Sequence, residues 1–397
     1  MQLDQERIMS MIEKIRTFGG SPDKGVNRLA YSDEDMAAQE YIIAVFKDLG
    51  CQVRRDAIGN IFALLPGKDN SLPKIATGSH LDSVKQAGHL DGVLGVVGAV
   101  EALRMAQARG GLRHPLEAIV FMAEESTRFG FATMGSKLMA GVGTPEGFCK
   151  AAKAGEKNYM QILKDRGFKP EEYKEARVKP TDYLAFLELH IEQGRVLAEL
   201  ELSIGVVENI AAPTRMKVTV EGLADHSGAT PMAFRKDALV TAARLIVEIE
   251  DIGRRHQDSG IVTTVGVVDV EPGSINVIPG KVTLWVDLRG VEEESIKEAR
   301  SDLYEAVAEI GESDEIKIVV DVLTADRPVA LSQELAQISE DVCKTAGIKY
   351  RRMNSGAGHD AMHMATMMPT TMLFVPSING ISHNPAEYTK PEDVALG

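Results

Sequence analysis

Six side chains that can bind metal ions or carry protons are spread along this chain, each at the end of an apolar run or in a glycine-rich turn. They are His80, Asp91, Glu124, Glu125, His190 and His383. Imidazole nitrogens and carboxylate oxygens are donors that Zn²⁺ and similar divalent cations accept in proteins. Five of these groups could hold two cations and leave one carboxylate to move a proton. The chemistry that fits such a set is two-metal hydrolysis.

Glu124 and Glu125 are the most informative pair, because they follow the strongly apolar run AIVFMA (118–123). Side chains alternate along a strand, so both carboxylates can face one site only if the backbone bends. One carboxylate binding a cation while the other accepts a proton from bound water would explain why both are present. A strand that simply runs out into a polar loop remains the alternative.

Two further segments, GSHLDS (78–83) and GHLDGVLG (88–95), supply single candidate ligands. In the first, the Asp82 carboxylate could hold one nitrogen of His80 and so orient the imidazole. In the second, glycines on either side of Asp91 would let the backbone approach a cation closely. Each segment alone is equally compatible with a loop histidine or a helix-capping aspartate.

Histidines occur in three more segments. In LHIEQG (189–194), strand alternation would place His190, Glu192 and Gly194 on one face if the strand continues through them. His383 stands in a turn built on Asn-Pro, where a solvated histidine is the ordinary alternative. His359 and His363 have the helical zinc spacing but lack the glutamate of a His-Glu-x-x-His site, so they are not expected to bind a metal jointly.

A second polar cluster lies in the later part of the chain and contains His226, Asn276 and Arg289. An arginine fork is the natural receptor for a substrate carboxylate, and a histidine donor can stabilise the oxyanion of a tetrahedral intermediate. A structural turn with charges at its rim is the alternative for this cluster.

The elements that must position these residues change character along the chain. The first part alternates strands and helices, which predicts an α/β fold with a mostly parallel sheet and helices on both faces. His80 and the Glu124-Glu125 pair then fall at the carboxyl ends of strands, where ligands collect. From about Ala211 the order β-α-β-β-α-β predicts a ferredoxin-like unit. We therefore expect a catalytic domain of residues 1–211 and 329–397, an inserted domain of residues 212–328, and no helix closing the chain.

Composition excludes several classes of protein. The chain has 397 residues, 44% of them hydrophobic and 26% charged, which is typical of a globular protein with two domains. A net charge of −14 argues against a nucleic-acid partner. The three cysteines form no disulfide framework, and neither a signal peptide nor a membrane-spanning run is visible. The cytoplasm is the expected location.

Four segments together resemble the amidase, hydantoinase/carbamoylase family, which lies within the dimetal group of aminoacylases and carboxypeptidases. They are KGVNRLAYS (24–32), LHIEQG (189–194), SGAGHDA (355–361) and PSINGISHNPAE (376–387). The match covers nearly the whole chain. Members of this family include N-carbamoyl-L-amino acid hydrolases, allantoate amidohydrolases and β-ureidopropionases.

The resemblance implies a role for each candidate residue. Two divalent cations per subunit (Zn, Mn, Co or Ni) would be held by His80, Asp91, Glu125, His190 and His383, with Asp91 bridging. Glu124 would be the general base, and Asp82 the partner of His80. Substrate contacts would come from Gln193, His226, Asn276, Arg289 and His359. The inserted domain would act as a lid and form a homodimer, with His226 also serving catalysis.

The reaction implied is cleavage of the ureido C–N bond of an N-carbamoyl-L-amino acid, a small substrate with a carboxylate. The run Ala211-Ala212-Pro213-Thr214 lacks the polar residues of allantoate-type relatives, which favours this substrate over allantoate. Family members also continue into a helix beyond the position of Gly397. Allantoate amidohydrolase, a dipeptidase or aminoacylase, and a non-catalytic binding protein are the alternatives.

Overall fold

The computed structural model describes residues 4–21, 24–149 and 157–397. It divides into two compact units, one formed by Met1–Glu208 with Ala330–Gly397 and the other by Asn209–Val329. The strands are β1 (Gly20–Ser21), β2 (Gly25–Val26), β3 (Gln52–Arg55), β4 (Ile61–Leu65), β5 (Lys74–His80), β6 (Leu116–Phe121), β7 (Tyr183–Ile191), β8 (Ile204–Ile210), β9 (Ala212–Glu221), β10 (Asp225–His226), β11 (Val262–Glu271), β12 (Val277–Ile278), β13 (Lys281–Gly290), β14 (Lys317–Ala325), β15 (Val329–Ala330), β16 (Tyr350–Ser355) and β17 (Thr370–Val375).

The α-helices of the described ranges follow the apolar periodicity of the sequence. They are α1 (Gln5–Arg16), α2 (Asp33–Asp48), α3 (Val93–Ala108), α4 (Met134–Met139), α5 (Pro145–Phe148), α6 (Tyr159–Asp165), α7 (Val196–Glu199), α8 (Ala238–Arg255), α9 (Glu293–Asp314), α10 (Gln333–Ala346), α11 (Ala361–Met364) and α12 (Pro391–Leu396). None of them combines the length and the apolarity that crossing a bilayer would require.

A nine-stranded sheet dominates the first unit, in the order β15-β8-β17-β7-β5-β6-β4-β3, with β16 paired to β8. The four central strands β17, β7, β5 and β6 run parallel. Towards the edges, β8 and β4 run antiparallel to their neighbours. The fold is therefore mixed α/β, with parallel pairing at the centre of the sheet. The carboxyl ends of these four strands share one edge.

Helix α3 packs very closely on the parallel strands, because glycines face the sheet. A Cβ on Gly95 would lie 2.4 Å from the carbonyl oxygen of Leu189 and 2.6 Å from the Cβ of Ser79. No side chain fits at those distances, so glycine lets the helix axis approach β5 and β7. This packing sets the start of α3 directly against the ends of the two strands.

The second unit contains a four-stranded antiparallel sheet in the order β11-β13-β9-β14. With α8 and α9 as connections, its elements follow the order β9-α8-β11-β13-α9-β14, which is the ferredoxin-like arrangement. Its own core is formed by fully buried side chains such as Val218, Leu245, Leu284 and Leu303. Strand β11 is an edge of the sheet, and most of its residues are exposed.

One expectation about the chain end is wrong. Helix α12 (Pro391–Leu396) does form, with Val394 buried in the core of the first unit. Its six residues include only one buried apolar side chain, and that is too short a run for a helical period to show in the sequence.

Candidate metal centre

The candidate ligands of the first unit meet at the carboxyl edge of the parallel strands. His80 is the last residue of β5, His190 is the last but one of β7, and Glu124 and Glu125 follow β6. Asp91 lies between β5 and α3. These five side chains are buried, while that of His383, in the loop after β17, is 48% exposed. Residues distant in sequence therefore converge where a parallel sheet usually binds its ligand.

The carboxylate of Asp91 lies between two groups of donors. Its Oδ1 atom is 3.6 Å from Nε2 of His80 and 3.2 Å from Nε2 of His190. Its Oδ2 atom is 3.1 Å from Nε2 of His383, and that nitrogen is 3.4 Å from Oε1 of Glu125. Within each group the ligand atoms lie within 4.8 Å of one another. One oxygen of Asp91 thus serves each group, which is the geometry of a bridging carboxylate.

Backbone bends place these side chains. Ala123, which precedes the glutamate pair, has a φ of 53°, and Gln193 and His383 have φ values of 57° and 55°. Such left-handed conformations cost a non-glycine residue on the order of 1 kcal/mol and tend to occur at functional sites. The turn at Ala123 is the bend that the Glu124-Glu125 sequence requires. Gly92, with a φ of 67°, leaves room for the ring of His80, 2.5 Å from where a Cβ would lie.

Asp82 contacts the centre differently from the simple pairing expected. Nδ1 of His80 lies 3.0 Å from the backbone carbonyl oxygen of Asp82, and 3.7 Å from its carboxylate. That carboxylate instead accepts the N–H groups of Glu124 at 3.2 Å and Glu125 at 3.0 Å. Asp82 therefore fixes the strand end that carries both glutamates and, through its carbonyl, the ring of His80.

Charge at this centre is concentrated and shielded from water. Burial raises the pKa of Glu124 well above its usual range, and neighbouring Glu125 adds to that shift. Burial likewise raises the pKa of Asp82 to about 7. Burial alone would raise the pKa of Asp91, but its hydrogen bonds with three histidines hold it well below the usual range. Hydrogen bonds to Asp91 and Glu125 raise the pKa of the His383 imidazole to about 11.

These residues fit two divalent cations. Nδ1 of His80 and Nδ1 of His190 each lie 3.0 Å from a backbone carbonyl oxygen, so the proton belongs on Nδ1 and the lone pair of Nε2 faces Asp91. This is the tautomer that a metal-binding histidine adopts. The acids raise the proton affinity of the same histidines, and cations bound at Nε2 would replace those protons. A donor set of nitrogen and oxygen alone suits Zn²⁺, Mn²⁺, Co²⁺ or Ni²⁺.

A third group of close donors, Glu188, His190 and His359, is already occupied by hydrogen bonds. The two carboxylate oxygens of Glu188 accept from the Ser79 hydroxyl and the Ala361 N–H, both at 2.8 Å. Nε2 of His359 lies 2.9 Å from the Ser355 hydroxyl. His359 packs against His190, with ring centroids 4.5 Å apart, and so lies behind the centre.

The contacts correct the face proposed for His190 and Glu192, and they show where the rings of His359 and His363 lie. Glu192 does not continue the ligand face of β7, because the strand ends at Ile191 and its carboxylate caps α7 through the N–H groups of Val196 and Leu197. Nε2 of His363 lies 2.8 Å from the hydroxyl of Thr133, so that ring belongs to a different contact from the ring of His359.

Two residues complete the surroundings of Asp91. Nε2 of Gln193 donates to Oδ2 of Asp91 at 2.8 Å, which places this amide at the centre. Glu387, to which sequence reasoning gave no role, is buried and accepts the N–H groups of Leu90 at 2.8 Å and Asp91 at 3.3 Å. The sequence held one indication of it, since Glu387 ends the distinctive segment GISHNPAE (380–387).

The polar cluster of the second unit is exposed. Nδ1 of His226 accepts two backbone N–H groups, from Gly228 and Ala229, both at 3.1 Å, so its Nε2 carries the proton and points outward as a donor. The carbonyl oxygen of Asn276 accepts the N–H of Ser227 at 3.1 Å, which ties Asn276 to the same loop. Arg289, on β13, pairs with both oxygens of Asp287 at 2.8 and 3.1 Å.

Comparison with known proteins places this fold and this centre in one class. Residues 76–397 match the model of peptidase family M20/M25/M40, and the chain belongs to that family. It is a hydrolase of a metal-dependent family whose related members act on amide C–N bonds.

The relatives define the branch more narrowly. The chain is 36% identical to an N-carbamoyl-L-amino acid amidohydrolase from Geobacillus stearothermophilus, over 99% of this chain and 95% of that one. It is 36% identical to a ureidoglycolate hydrolase of Oryza sativa subsp. japonica (100% and 83% covered) and 34% identical to the allantoate amidohydrolase of Escherichia coli K12 (99% and 95%). A solved hydantoinase/carbamoylase family amidase from Burkholderia multivorans superposes with a TM-score of 0.90 at 33% identity, over 99% of this chain and 95% of that one.

Proposed function

We propose that this amidohydrolase cleaves the ureido C–N bond of an N-carbamoyl-L-amino acid to give the amino acid, ammonia and carbon dioxide. The observation that carries the proposal is the position of Asp91 between two donor groups, with the buried carboxylate of Glu124 beside them. The resemblance of the whole chain to carbamoyl-amino-acid, allantoate and ureidoglycolate hydrolases supports the same chemistry.

Two divalent cations would be held by the two groups that share Asp91. His80 and His190 complete one group, and Glu125 and His383 complete the other. When bound, such cations lower the pKa of a coordinated water towards neutrality and polarise the carbonyl that is attacked.

Glu124 is the proton carrier in this proposal. Its carboxylate is buried, and its oxygen lies 3.8 Å from Nε2 of His80. Burial raises its pKa well above the usual range, which strengthens it as a proton acceptor. It accepts a proton from the attacking water and returns it to the nitrogen of the leaving group. Asp82 holds the backbone of Glu124 in place through the N–H that it accepts.

Substrate recognition is assigned to the polar cluster of the second unit and, separately, to residues beside the metal centre. Arg289 with Asn276 would bind the carboxylate, and the outward N–H of His226 would donate to the carbonyl oxygen as it becomes negative. Gln193 would contact the substrate directly, whereas His359, buried against the ring of His190, would act on the substrate only through that ring. Arg289 pairs with the carboxylate of Asp287, which holds its guanidinium group in a fixed orientation.

The second unit is proposed to act as a lid and to form a homodimer. Strand β11 is a sheet edge with exposed Val262, Val267 and Val268, and α8, which packs beside it, exposes Val240 and Val247. An apolar edge strand exposed to water pairs readily with another chain. We place the enzyme in the cytoplasm, with neither a nucleic acid nor a membrane as a partner.

Two rival substrates have support from the relatives, namely allantoate and ureidoglycolate, which contain the same ureido group. A dipeptide or an N-acylated amino acid is a further possibility within the group. All of these substrates would use the same centre, because each presents a carbonyl carbon bonded to the nitrogen that leaves. The ureido rivals differ in the group on that nitrogen, and the dipeptide and the N-acylated amino acid differ in the group on the carbonyl carbon.

The deciding experiment measures ammonia release by protein stripped of metal and reloaded separately with Zn²⁺, Mn²⁺ or Co²⁺. N-carbamoyl-L-methionine, allantoate and ureidoglycolate are offered in parallel. Turnover of the first, abolished by a chelator, supports the proposal. Turnover of either rival alone would contradict the substrate while keeping the reaction. If none of the three substrates releases ammonia although cations are bound, dipeptides would be tested next and then a binding role.

A further inference from the structure

Glu387 is a buried carboxylate, 2% exposed, that links two loops of the metal centre. Its Oε1 atom accepts the backbone N–H groups of Leu90 at 2.8 Å and Asp91 at 3.3 Å. Its Oε2 atom lies 3.3 Å from the hydroxyl of Ser382, which is also 3.3 Å from Oδ2 of Asp91. One carboxylate thus holds the loop of Asp91 and the loop that carries His383.

The surroundings are shaped to admit this side chain. A Cβ on Gly88 would lie 2.2 Å from the carboxyl carbon of Glu387, so any residue other than glycine would displace it. On the other side, the N–H of Glu387 donates to the carbonyl oxygen of Asn384 at 2.9 Å. That turn follows His383 directly, so the backbone of Glu387 is fixed relative to His383.

The need for such a link follows from where the ligands come from. His80 and His190 stand on the adjacent strands β5 and β7, and the sheet itself sets the separation of their backbones. His383 stands in a loop, and 296 residues separate Glu387 from Asp91 along the chain. Within the described part of the chain, no sheet pairing joins Asp91 to the His383 loop, so their separation depends on side-chain contacts.

We propose that Glu387 is a positioning residue that sets the distance between Oδ2 of Asp91 and Nε2 of His383. It thereby prepares the cation site formed by Asp91, Glu125 and His383 before a cation arrives. This inference rests on the two-cation centre proposed above. Its function depends on the reach of the side chain and on two accepted N–H groups rather than on negative charge.

Two substitutions distinguish the effect of the length of the Glu387 side chain from the effect of its negative charge. Glu387→Asp keeps the charge but withdraws the carboxylate by about 1.5 Å, one carbon–carbon bond. Glu387→Gln loses the charge but keeps an oxygen that can accept both N–H groups, and its amide can donate to Ser382. Loss of a partner of metal ligands typically costs about 10- to 100-fold in metal affinity. We expect E387D to weaken one cation by that factor and E387Q to remain close to the unsubstituted protein.

The experiment titrates Zn²⁺ into the metal-free full-length protein against a chromophoric chelator and resolves the two affinities. His383→Ala identifies which of the two binding steps belongs to the group of Asp91, Glu125 and His383. E387D should weaken the affinity of the same step. The matched control is Glu192→Asp, because Glu192 is also a buried carboxylate that accepts two N–H groups, at 2.7 and 2.8 Å, but from a helix without candidate ligands. E192D should leave both affinities unchanged.

Thermal unfolding of each metal-free variant checks that it folds. If E387D does not fold, Ser382→Ala replaces it, because loss of that hydroxyl should weaken the same step. Equal affinities for E387D and the unsubstituted protein would overturn the inference, as would a larger loss in E387Q than in E387D. Failure of the unsubstituted protein to bind two cations would overturn the two-cation centre and this inference together.

Discussion

The two groups of functional candidates differ most in how firmly the chain holds them. In the first unit, His80, Asp91 and Glu124 are buried, and their backbones or rings are held by named hydrogen bonds. In the second unit, His226 at the end of β10 and Asn276 directly before β12 are exposed side chains. A buried ligand set must be complete within its own unit, because water cannot correct an error there. An exposed donor can stay hydrated until its ligand binds.

This contrast separates two kinds of mutational effect. Substitution in the buried centre alters cation binding, local packing and chemistry together, unless the replacement has the same shape. Substitution in the exposed cluster should alter chemistry alone, since surface changes away from special contacts usually shift stability by less than about 0.5 kcal/mol.

The largest effect is expected for Glu124→Gln. The amide has the same shape as the carboxyl group, and Glu124 is not among the proposed cation ligands, so cation binding and the thermal unfolding temperature should stay near those of the unsubstituted protein. The proton carrier is lost, and kcat should fall by about 100-fold or more. Steady-state kinetics beside a cation titration tests this. Activity above a hundredth of the original would show that another group carries the proton.

His226→Ala tests the exposed side of the comparison. Removal of one oxyanion donor typically lowers kcat by about 100-fold, whereas the two cation affinities and the unfolding temperature should not change. Ser227→Ala in the same loop is the control and should keep its activity. A fall in cation affinity in H226A would contradict the separation between the two regions.

How far the sequence alone predicts this arrangement depends on the kind of contact. The apolar runs before His80 and before Glu124 predicted β5 and β6 closely, because a buried parallel strand must be apolar along its length. Those runs also predicted that His80 and the Glu124-Glu125 pair would meet at one edge of the sheet. The position of Glu387 could not be predicted, since a hydrogen bond across 297 residues leaves no periodic trace.

Sequence patterns did not predict the direction of a side chain where a loop, rather than a strand, sets that direction. The spacing of His190 and Glu192 suggested a shared face, but the strand ends between them and Glu192 caps α7. Strand alternation predicted a bend before Glu124. The residue types of Met122 and Ala123 did not predict that Ala123 would take the left-handed conformation that makes this bend. Tertiary packing imposes such conformations, and propensity does not report them.

Removal of cations should lower the stability of the protein through the metal centre and not through the exposed cluster of the second unit. Divalent cations that bind only the folded protein stabilise it by about 2.7 kcal/mol when the free cation is at 100 times Kd. A chelator should therefore lower the unfolding temperature of the unsubstituted protein and of H226A equally. Asp91→Ala lacks the carboxylate that lies between the two donor groups, so the chelator should lower its unfolding temperature little. An unfolding temperature insensitive to the chelator would exclude a tightly bound cation at the centre.

The smallest effect concerns the bend that turns both glutamates towards the centre. Ala123→Gly relieves the left-handed strain at a φ of 53°, roughly 1 kcal/mol, and this offsets the extra chain entropy that glycine loses on folding. Ala118, buried within β6 in ordinary extended backbone, has no strain to relieve, so Ala118→Gly should destabilise by roughly 1 kcal/mol. Denaturant unfolding of the two variants measures the difference. If A123G lost as much stability as A118G, the bend would be unstrained, and the direction of Glu124 would have to be set by the N–H bonds to Asp82 alone.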